Sequence, residues 1–195
     1  MITLYLIRHA TYSNPRGILP GRLPVELSAE GIEEAKRLRK YFVDKTIERI
    51  YSSAVLRCKQ TAEIISSGKI PLEYDQRLLE THSAYQGYWV DDVRFFYGVR
   101  NELGGESYQD VQNRLAEFYR MTHFENGKKY IICSHGDPLY FLYKYLTQQQ
   151  LQPEHNTSEK VTSPRDYPQM GSILPLIIEA GKVKMAELIT QEFLT

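Results

Sequence analysis

Several things are scarce in this chain, and each scarcity excludes a class of protein. Its 195 residues hold only two cysteines, Cys58 and Cys133. They lie far apart without zinc-like spacing, so neither a disulfide framework nor a metal knuckle is expected, and a reducing cytoplasm fits. There is no excess charge of either sign, with 24 Lys+Arg against 24 Asp+Glu. That balance argues against a nucleic-acid partner, because counterion release needs a concentrated positive surface. The densest basic stretch, Lys36, Arg37, Arg39 and Lys40, shares its helix with Glu33 and Glu34 and reads as a solvated face. No apolar run approaches a membrane span. The opening MITLYLIRHA has neither a basic leader nor a small-residue cleavage site and does not read as a signal peptide. No internal repeat is visible.

What is present is ordinary for a globule, with 42% hydrophobic and 25% charged residues. A chain of this mass buries roughly 70% of its unfolded surface. One core, hence a single domain over 1–195, is expected. Residues 2–7 form an apolar, β-prone run suited to a strand buried on both faces. After a Pro/Gly-rich loop, Ser28 reads as an N-cap, and Ile32, Ala35, Leu38 and Phe42 as a buried stripe. A strand near Arg49–Ser52 precedes a helix striped by Val55, Cys58, Ala62 and Ile65, with Arg57 off the stripe. Residues 70–74 read as a third strand.

From His82 to Gly105 the pattern breaks into an aromatic-rich excursion that reads equally as a small satellite core or a substrate lid. It contains Tyr85, Tyr88, Trp89, Phe95, Phe96 and Tyr97, with Arg94 and Arg100 as surface charges. Ser107 and Asp110 offer a capping box for a helix through Val111, Leu115, Phe118 and Thr122. The strand YIICS (130–134) runs into His135-Gly136-Asp137-Pro138, where Asp137 reads as N-cap and Pro138 as the first helical residue. Leu139, Leu142, Tyr143 and Leu146 continue that helix. Residues 147–171 read as a long loop or flap, and two strands at 173–179 and 183–189, joined at Gly181, close the chain. The fold class is α/β, a doubly wound three-layer α/β/α sandwich. Its sheet is mostly parallel with an antiparallel edge strand.

In such a sheet ligands bind beyond the carboxyl ends of the strands. Two strands end alike, Ile7 into Arg8-His9 and Ser134 into His135, and Arg57 opens a helix behind a third. Two imidazoles, two guanidiniums and helix N-termini converging on one rim suit a phosphate dianion. The usual phosphate motifs are missing. There is no glycine-rich loop ending in Gly-Lys-Ser/Thr. Neither cysteine has an arginine six residues on, and no Gly-x-Ser-x-Gly elbow occurs. Phosphate handling would have to use histidine. Taken singly, each strand-end histidine is also readable as a capping residue, while His82, His123 and His155 lack such company and read as surface.

The segments LIRHATYSNPRG, YSSAVLRCKQTAEII, RLLE, GGESYQDVQNRL, IICSHGDPLYFL and MGSILPLIIEAGKVKMAEL, in this order, resemble the histidine phosphatase superfamily, also called the phosphoglycerate mutase-like family. The resemblance implies that His9 is the nucleophile, forming a phosphohistidine. Arg8, Arg57 and His135 would bind the non-bridging oxygens, and Glu80 would be the general acid and then the base. Asn14, Gly21, Arg22 and Gly136 are further phosphate-binding candidates by the same carry-over. Neither a metal nor another cofactor is implied. Departures fall on substrate-facing loops: Ala10 where the family commonly has Gly, Asn14 one position early, GRLPVEL without the usual aspartate, and an altered THSAYQGYW. The expected activity is a phosphomonoesterase acting on a small phosphorylated metabolite. Two alternatives stand: a phosphoglycerate mutase, told apart by a bisphosphate-primed mutase assay, and a silent phospho-ligand binding module. An edge strand or the 147–171 flap offers a homodimer contact.

Overall fold

Alternation along one buried strand decides the layering of this chain. In β1 (Ile2–Arg8), Leu4 and Leu6 point to one face and Tyr5 and Ile7 to the other, and each set joins a different apolar cluster. A strand apolar on both faces needs a helical layer on each. The structure, a computed structural model, describes residues 1–90, 104–149 and 167–194. Among them are α1 (Ala29–Phe42), β2 (Arg49–Ser52), α2 (Leu56–Ser66), β3 (Leu72–Tyr74), α3 (Tyr108–Met121), β4 (Lys129–Ser134), α4 (Gly136–Leu146), β5 (Ile173–Glu179) and β6 (Lys182–Met185). The sheet order is β3-β2-β4-β1-β5-β6. The first four are mutually parallel, and β5 and β6 continue the sheet antiparallel.

Leu38 and Phe42 of α1 and Cys58, Ala62 and Ile65 of α2 cover one face. Val111, Leu115 and Phe118 of α3 with Leu139, Leu142 and Leu146 of α4 cover the other. Adjacent parallel strands β1 and β4 therefore send their following helices to opposite faces, which opens a crevice at their carboxyl ends. Register makes that rim level: Arg8 pairs with Ser134, and Ser52 with Cys133. The ladder continues one residue further, with the His9 N–H donating to Ser134 O (2.9 Å) and the Ser53 N–H to Cys133 O (3.0 Å).

Capping follows the sequence closely in two helices. The Ser28 side chain accepts from the Gly31 N–H, and Ser107 with Asp110 forms the full capping box. Elsewhere the structure corrects the expectations. Asp137 is not the N-cap of α4: His135 is, which puts Pro138 third in the helix rather than first. Ile32 is exposed, and the buried face of α1 runs through Gly31, Glu34, Ala35, Leu38 and Phe42. Arg57, assigned off the buried stripe of α2, is 1% exposed. The third strand is shorter than 70–74, and the last ends at Met185, with Ile189 bridging back to Ile173. Ala180 and Gly181, both at positive φ, make the tight turn between β5 and β6. The centre of the aromatic excursion (91–103, with Arg94, Phe95, Phe96, Tyr97 and Arg100) and most of the 147–171 loop, with His155, lie outside the described residues.

The α1 correction is directly measurable by urea unfolding. Leu38→Ala should cost about 2–5 kcal/mol, as a fully buried leucine does. Ile32→Ala should stay within about 0.5 kcal/mol. Equal losses would restore Ile32 to the core.

Candidate active site

The rim assembles around Arg57. Its side chain leaves the first turn of α2 and is buried beneath the loop that follows β1. A buried guanidinium needs acceptors, and it finds them in both imidazoles. Arg57 Nε–H donates to His9 Nε2 (3.1 Å), and Nη2–H donates to His135 Nδ1 (2.9 Å) and to Gly21 O (2.8 Å). Guanidinium nitrogens only donate, so those two ring nitrogens carry lone pairs. The protons must sit on the opposite nitrogens. His9 Nδ1–H donates to Ala10 O (2.9 Å), and His135 Nε2–H donates to Ser53 Oγ (2.9 Å). Both imidazoles are neutral. Burial, then the charges of Arg57 and Arg8, hold the pKa of His9 well below its ordinary value, and burial followed by Arg57 does the same for His135.

The turn after β1 is fixed from both neighbouring helices. The Ala10 N–H donates to Thr61 Oγ1 (3.1 Å), and Thr61 Oγ1–H donates to Arg57 O (2.7 Å), so one hydroxyl of α2 ties the His9 turn to the arginine. From α1, Glu34 accepts from the Thr11 N–H (2.7 Å) and the Thr11 hydroxyl (3.0 Å). Gly31 allows that approach, since a Cβ there would stand 1.8 Å from Thr11 O.

Glu80 follows a short 3-10 turn (Gln76–Leu78) that Ser134 Oγ–H anchors at Leu78 O (2.7 Å). Its Oε2 lies 3.5 Å from both Arg57 Nη2 and His135 Nδ1, and Oε1 accepts from the Thr81 N–H (2.9 Å). Burial and the negative charge of Asp137 push the Glu80 carboxyl up to about 7, against the opposing pull of Arg57. A carboxylate oxygen facing the His135 lone pair is unfavourable, and a protonated Glu80 removes that conflict.

Arg8 Nη1–H donates to Pro168 O (3.0 Å), and its guanidinium lies 5.5 Å from the centre of the Tyr167 ring. Two buried guanidinium donors, Arg8 Nε and Arg57 Nη1, have no hydrogen-bond partner among the described residues. Both arginines line a cavity of about 170 Å³ with His9, Tyr12, Leu19, Pro20, Gly21, Glu80, Thr81, Ser83, Asp137 and Tyr167. Larger grooves exist, one of about 580 Å³ between the ends of α1 and α2, but neither histidine reaches it. Among the described residues no group of three or more His, Cys, Asp or Glu is arranged to hold a metal ion. No helix among them is long and apolar enough to cross a membrane.

Of the residues singled out from sequence, the structure brings Arg8, His9, Arg57, Glu80 and His135 together. His135 stands behind Arg57 rather than in the cavity wall. Gly21 contributes its carbonyl, at φ +47°. The other phosphate-binding candidates lie elsewhere. Asn14 spends its amide on Ile18, Nδ2–H donating to Ile18 O (2.9 Å) and Oδ1 accepting from the Ile18 N–H (3.2 Å), which staples the loop. Arg22 turns away, donating from Nε to Glu80 O (2.8 Å) and from Nη2 to Glu106 (2.8 Å). Gly136 is covered, since a Cβ there would lie 2.1 Å from the Tyr167 hydroxyl. Sequence reasoning passed over Tyr12, Thr81, Ser83 and Tyr167, and read Asp137 as a cap only. The signal for Asp137 was its adjacency to His135; Tyr167 had none.

Residues 4–163 match the family model of the histidine phosphatase superfamily (branch 1). The chain is 30% identical over 160 residues to phosphoserine phosphatase 1 of Hydrogenobacter thermophilus, covering 73% of this chain and 75% of that protein. It is 26% identical over 157 residues to the adenosylcobalamin/alpha-ribazole phosphatase of Escherichia coli, covering 71% and 76%. Among solved structures, Bacillus stearothermophilus YhfR superposes with a TM-score of 0.77 at 27% identity, covering 95% of this chain and 96% of that one. The Shigella flexneri alpha-ribazole phosphatase superposes at 0.78 with 20% identity, covering 97% and 96%, a likeness of fold.

The raised Glu80 carboxyl makes a stability prediction. The native chain holds a proton that the unfolded chain releases near the ordinary value of 4.5, so Glu80 lowers stability as pH rises from there to about 7. Glu80→Gln removes this dependence. Urea unfolding should find the variant more stable than wild type at about pH 8 and indistinguishable at about pH 4. A constant difference across that range would mean that Glu80 titrates normally.

Proposed function

The chain belongs to the histidine phosphatase superfamily, and we propose that it hydrolyses a small phosphate monoester through a phosphohistidine on His9. The observation that carries this reading is the His9 tautomer. Nδ1–H is committed to Ala10 O, which leaves the Nε2 lone pair on the cavity side, where a nucleophile needs it. In the resting site that lone pair accepts from Arg57 Nε–H. A dianionic phosphate is a far stronger acceptor than a neutral imidazole, so it would draw the guanidinium onto its oxygens and free the nitrogen.

Arg8 Nε and Arg57 Nη1, buried guanidinium donors without partners among the described residues, supply hydrogen bonds to the non-bridging oxygens. Nε2 attacks phosphorus, a nitrogen–phosphorus bond forms, and the ester oxygen–phosphorus bond breaks. Glu80, protonated up to about pH 7, gives its proton to the departing alkoxide. The resulting carboxylate then takes a proton from water, whose oxygen attacks phosphorus as the nitrogen–phosphorus bond breaks. Inorganic phosphate leaves, and His9 and Glu80 return to their starting states. His135 acts through Arg57, presenting an acceptor that holds the guanidinium at the rim. The named relatives being phosphatases supports the reaction class, and the arginines supply positive charge without calling for a metal.

The test is p-nitrophenyl phosphate hydrolysis in excess chelator by wild type and His9→Ala, with acid-labile phosphate trapped on the protein. Metal-free turnover and a trapped label are expected in wild type, and neither in the variant. Label persisting in His9→Ala would place the nucleophile elsewhere. Glu80→Gln should slow alkyl phosphates at least about tenfold more than the aryl ester, which needs less help from an acid. Equal slowing would remove Glu80 from the acid role. Arg8→Ala, deleting one oxygen-binding donor, should lower turnover by about 10²–10³.

A further inference from the structure

The part of the cavity beyond the phosphate cradle has a definite charge character, and Asp137 sets it. Asp137 lies in the first turn of α4, where the helix end favours an anion, and it lines the cavity beside Glu80, Thr81 and Ser83. Tyr167 O–H donates to its Oδ1 (2.9 Å), which fixes the carboxylate. Oδ2 has no hydrogen-bond partner among the described residues. Close by, Thr81 is 5% exposed, lines the same cavity, and its Oγ1 also lacks a partner. The cavity wall thus presents an acceptor and a hydroxyl that the described residues leave unpaired.

Positive charge is placed differently. The lining cations among the described residues are Arg8 and Arg57, the first packed 5.5 Å from the Tyr167 ring and the second held by the two histidines. Arg22 and Arg114 approach Glu80 from outside, and both are engaged by Glu106 and backbone carbonyls. With Arg8 and Arg57 taken up by the phosphate, a second anion on the substrate would meet Asp137 with no further lining cation among the described residues to offset it. The cavity is also small, about 170 Å³ against the roughly 300–1,000 Å³ typical of clefts for drug-sized ligands.

We propose that Asp137 is the specificity-determining residue of this site. It selects phosphate monoesters of small alcohols that carry a hydrogen-bond donor, an ammonium above all, a few bonds from the ester. It rejects alcohols that carry a carboxylate or a second phosphate there. The discrimination is two-sided: a donor fills the free oxygen of Asp137, and an anion is repelled by it. The inference rests on the phosphatase reading only for which group is the leaving alcohol.

O-Phosphoethanolamine and phosphoglycolate are two-carbon probes that differ in the charge of the far end. Wild type should favour O-phosphoethanolamine by at least about tenfold in kcat/KM, and Asp137→Asn should shrink that ratio at least about fivefold. Asparagine still accepts from Tyr167 through Oδ1. The same pair bound to His9→Ala, with and without Asp137→Asn, is measured by calorimetry. O-Phosphoethanolamine binding tighter, by a margin that shrinks in the double variant, supports the proposal. Phosphoglycolate preferred, or a ratio that Asp137→Asn leaves unchanged, overturns it. Should wild type turn over neither probe nor p-nitrophenyl phosphate, the phosphatase reading fails, and the calorimetric comparison still decides this one.

Discussion

A guanidinium buried beneath the surface is the constraint from which the rest of this site follows. Arg57 is 1% exposed, and a charge removed from water is tolerated only when acceptors surround it. Carboxylates would be the strongest partners, yet the nearest, Glu80, stays at 3.5 Å. The close acceptors are a backbone carbonyl and the lone pairs of two imidazoles. That choice forces both histidines into single tautomers and makes their protonation costly, because a second positive charge would face the first. One buried cation thereby keeps His9 neutral and in one orientation, while burial and the charge of Asp137, working against Arg57, raise the Glu80 carboxyl to about 7.

Positioning is divided between the two helical layers. The α1–α2 side holds the His9 turn through Glu34, Thr61 and the close approach at Gly31. The α3 side holds Glu80 by its main chain. Glu106, just before α3, accepts from Arg22, Arg114 and the His82 N–H, and Arg22 also donates to the Glu80 carbonyl. Burial would raise the Glu106 carboxyl, but the Arg114 hydrogen bond, the His82 N–H and the two guanidinium charges keep it below its ordinary value, so the clamp stays ionised. His9 and Glu80 are thus anchored independently, from opposite faces of the sheet.

What could be read from sequence was what strands deliver locally. Arg8-His9 and Ser134-His135 sit at the ends of apolar runs, and a parallel sheet puts such ends on one rim, so these residues were legible from pattern alone. Arg57, in the first turn of the helix behind a third strand, fell on that rim by the same pattern, and the family resemblance added Glu80, which pattern could not. Periodicity misplaced Arg57 because an apolar stripe has no slot for a buried charge. It likewise counted Ile32 inward, because it could not anticipate that Gly31 and Glu34 would take the buried positions to reach the Thr11 turn. Arg22 and Asn14 carry groups suited to phosphate, and only tertiary structure reveals that backbone carbonyls and Glu106 have already claimed them. Tyr167 was invisible, since it arrives from a polar stretch with no period and reaches Asp137 only through the fold.

The two cavity carboxyls sit in different surroundings. Asp137 occupies the first turn of α4 and takes a hydrogen bond from Tyr167. Burial raises the Glu80 carboxyl first, and the charge of Asp137 adds to the cost of ionising it. In the proposed reaction a phosphate dianion entering beside them would raise that cost further, so binding itself would retain the proton until an alkoxide develops to accept it. Once the alkoxide had left as neutral alcohol, the same carboxylate would face water as a base. On that proposal a carboxylate at position 137 would do two things with one charge: bias which alcohol enters, and hold the acid protonated until the bond breaks.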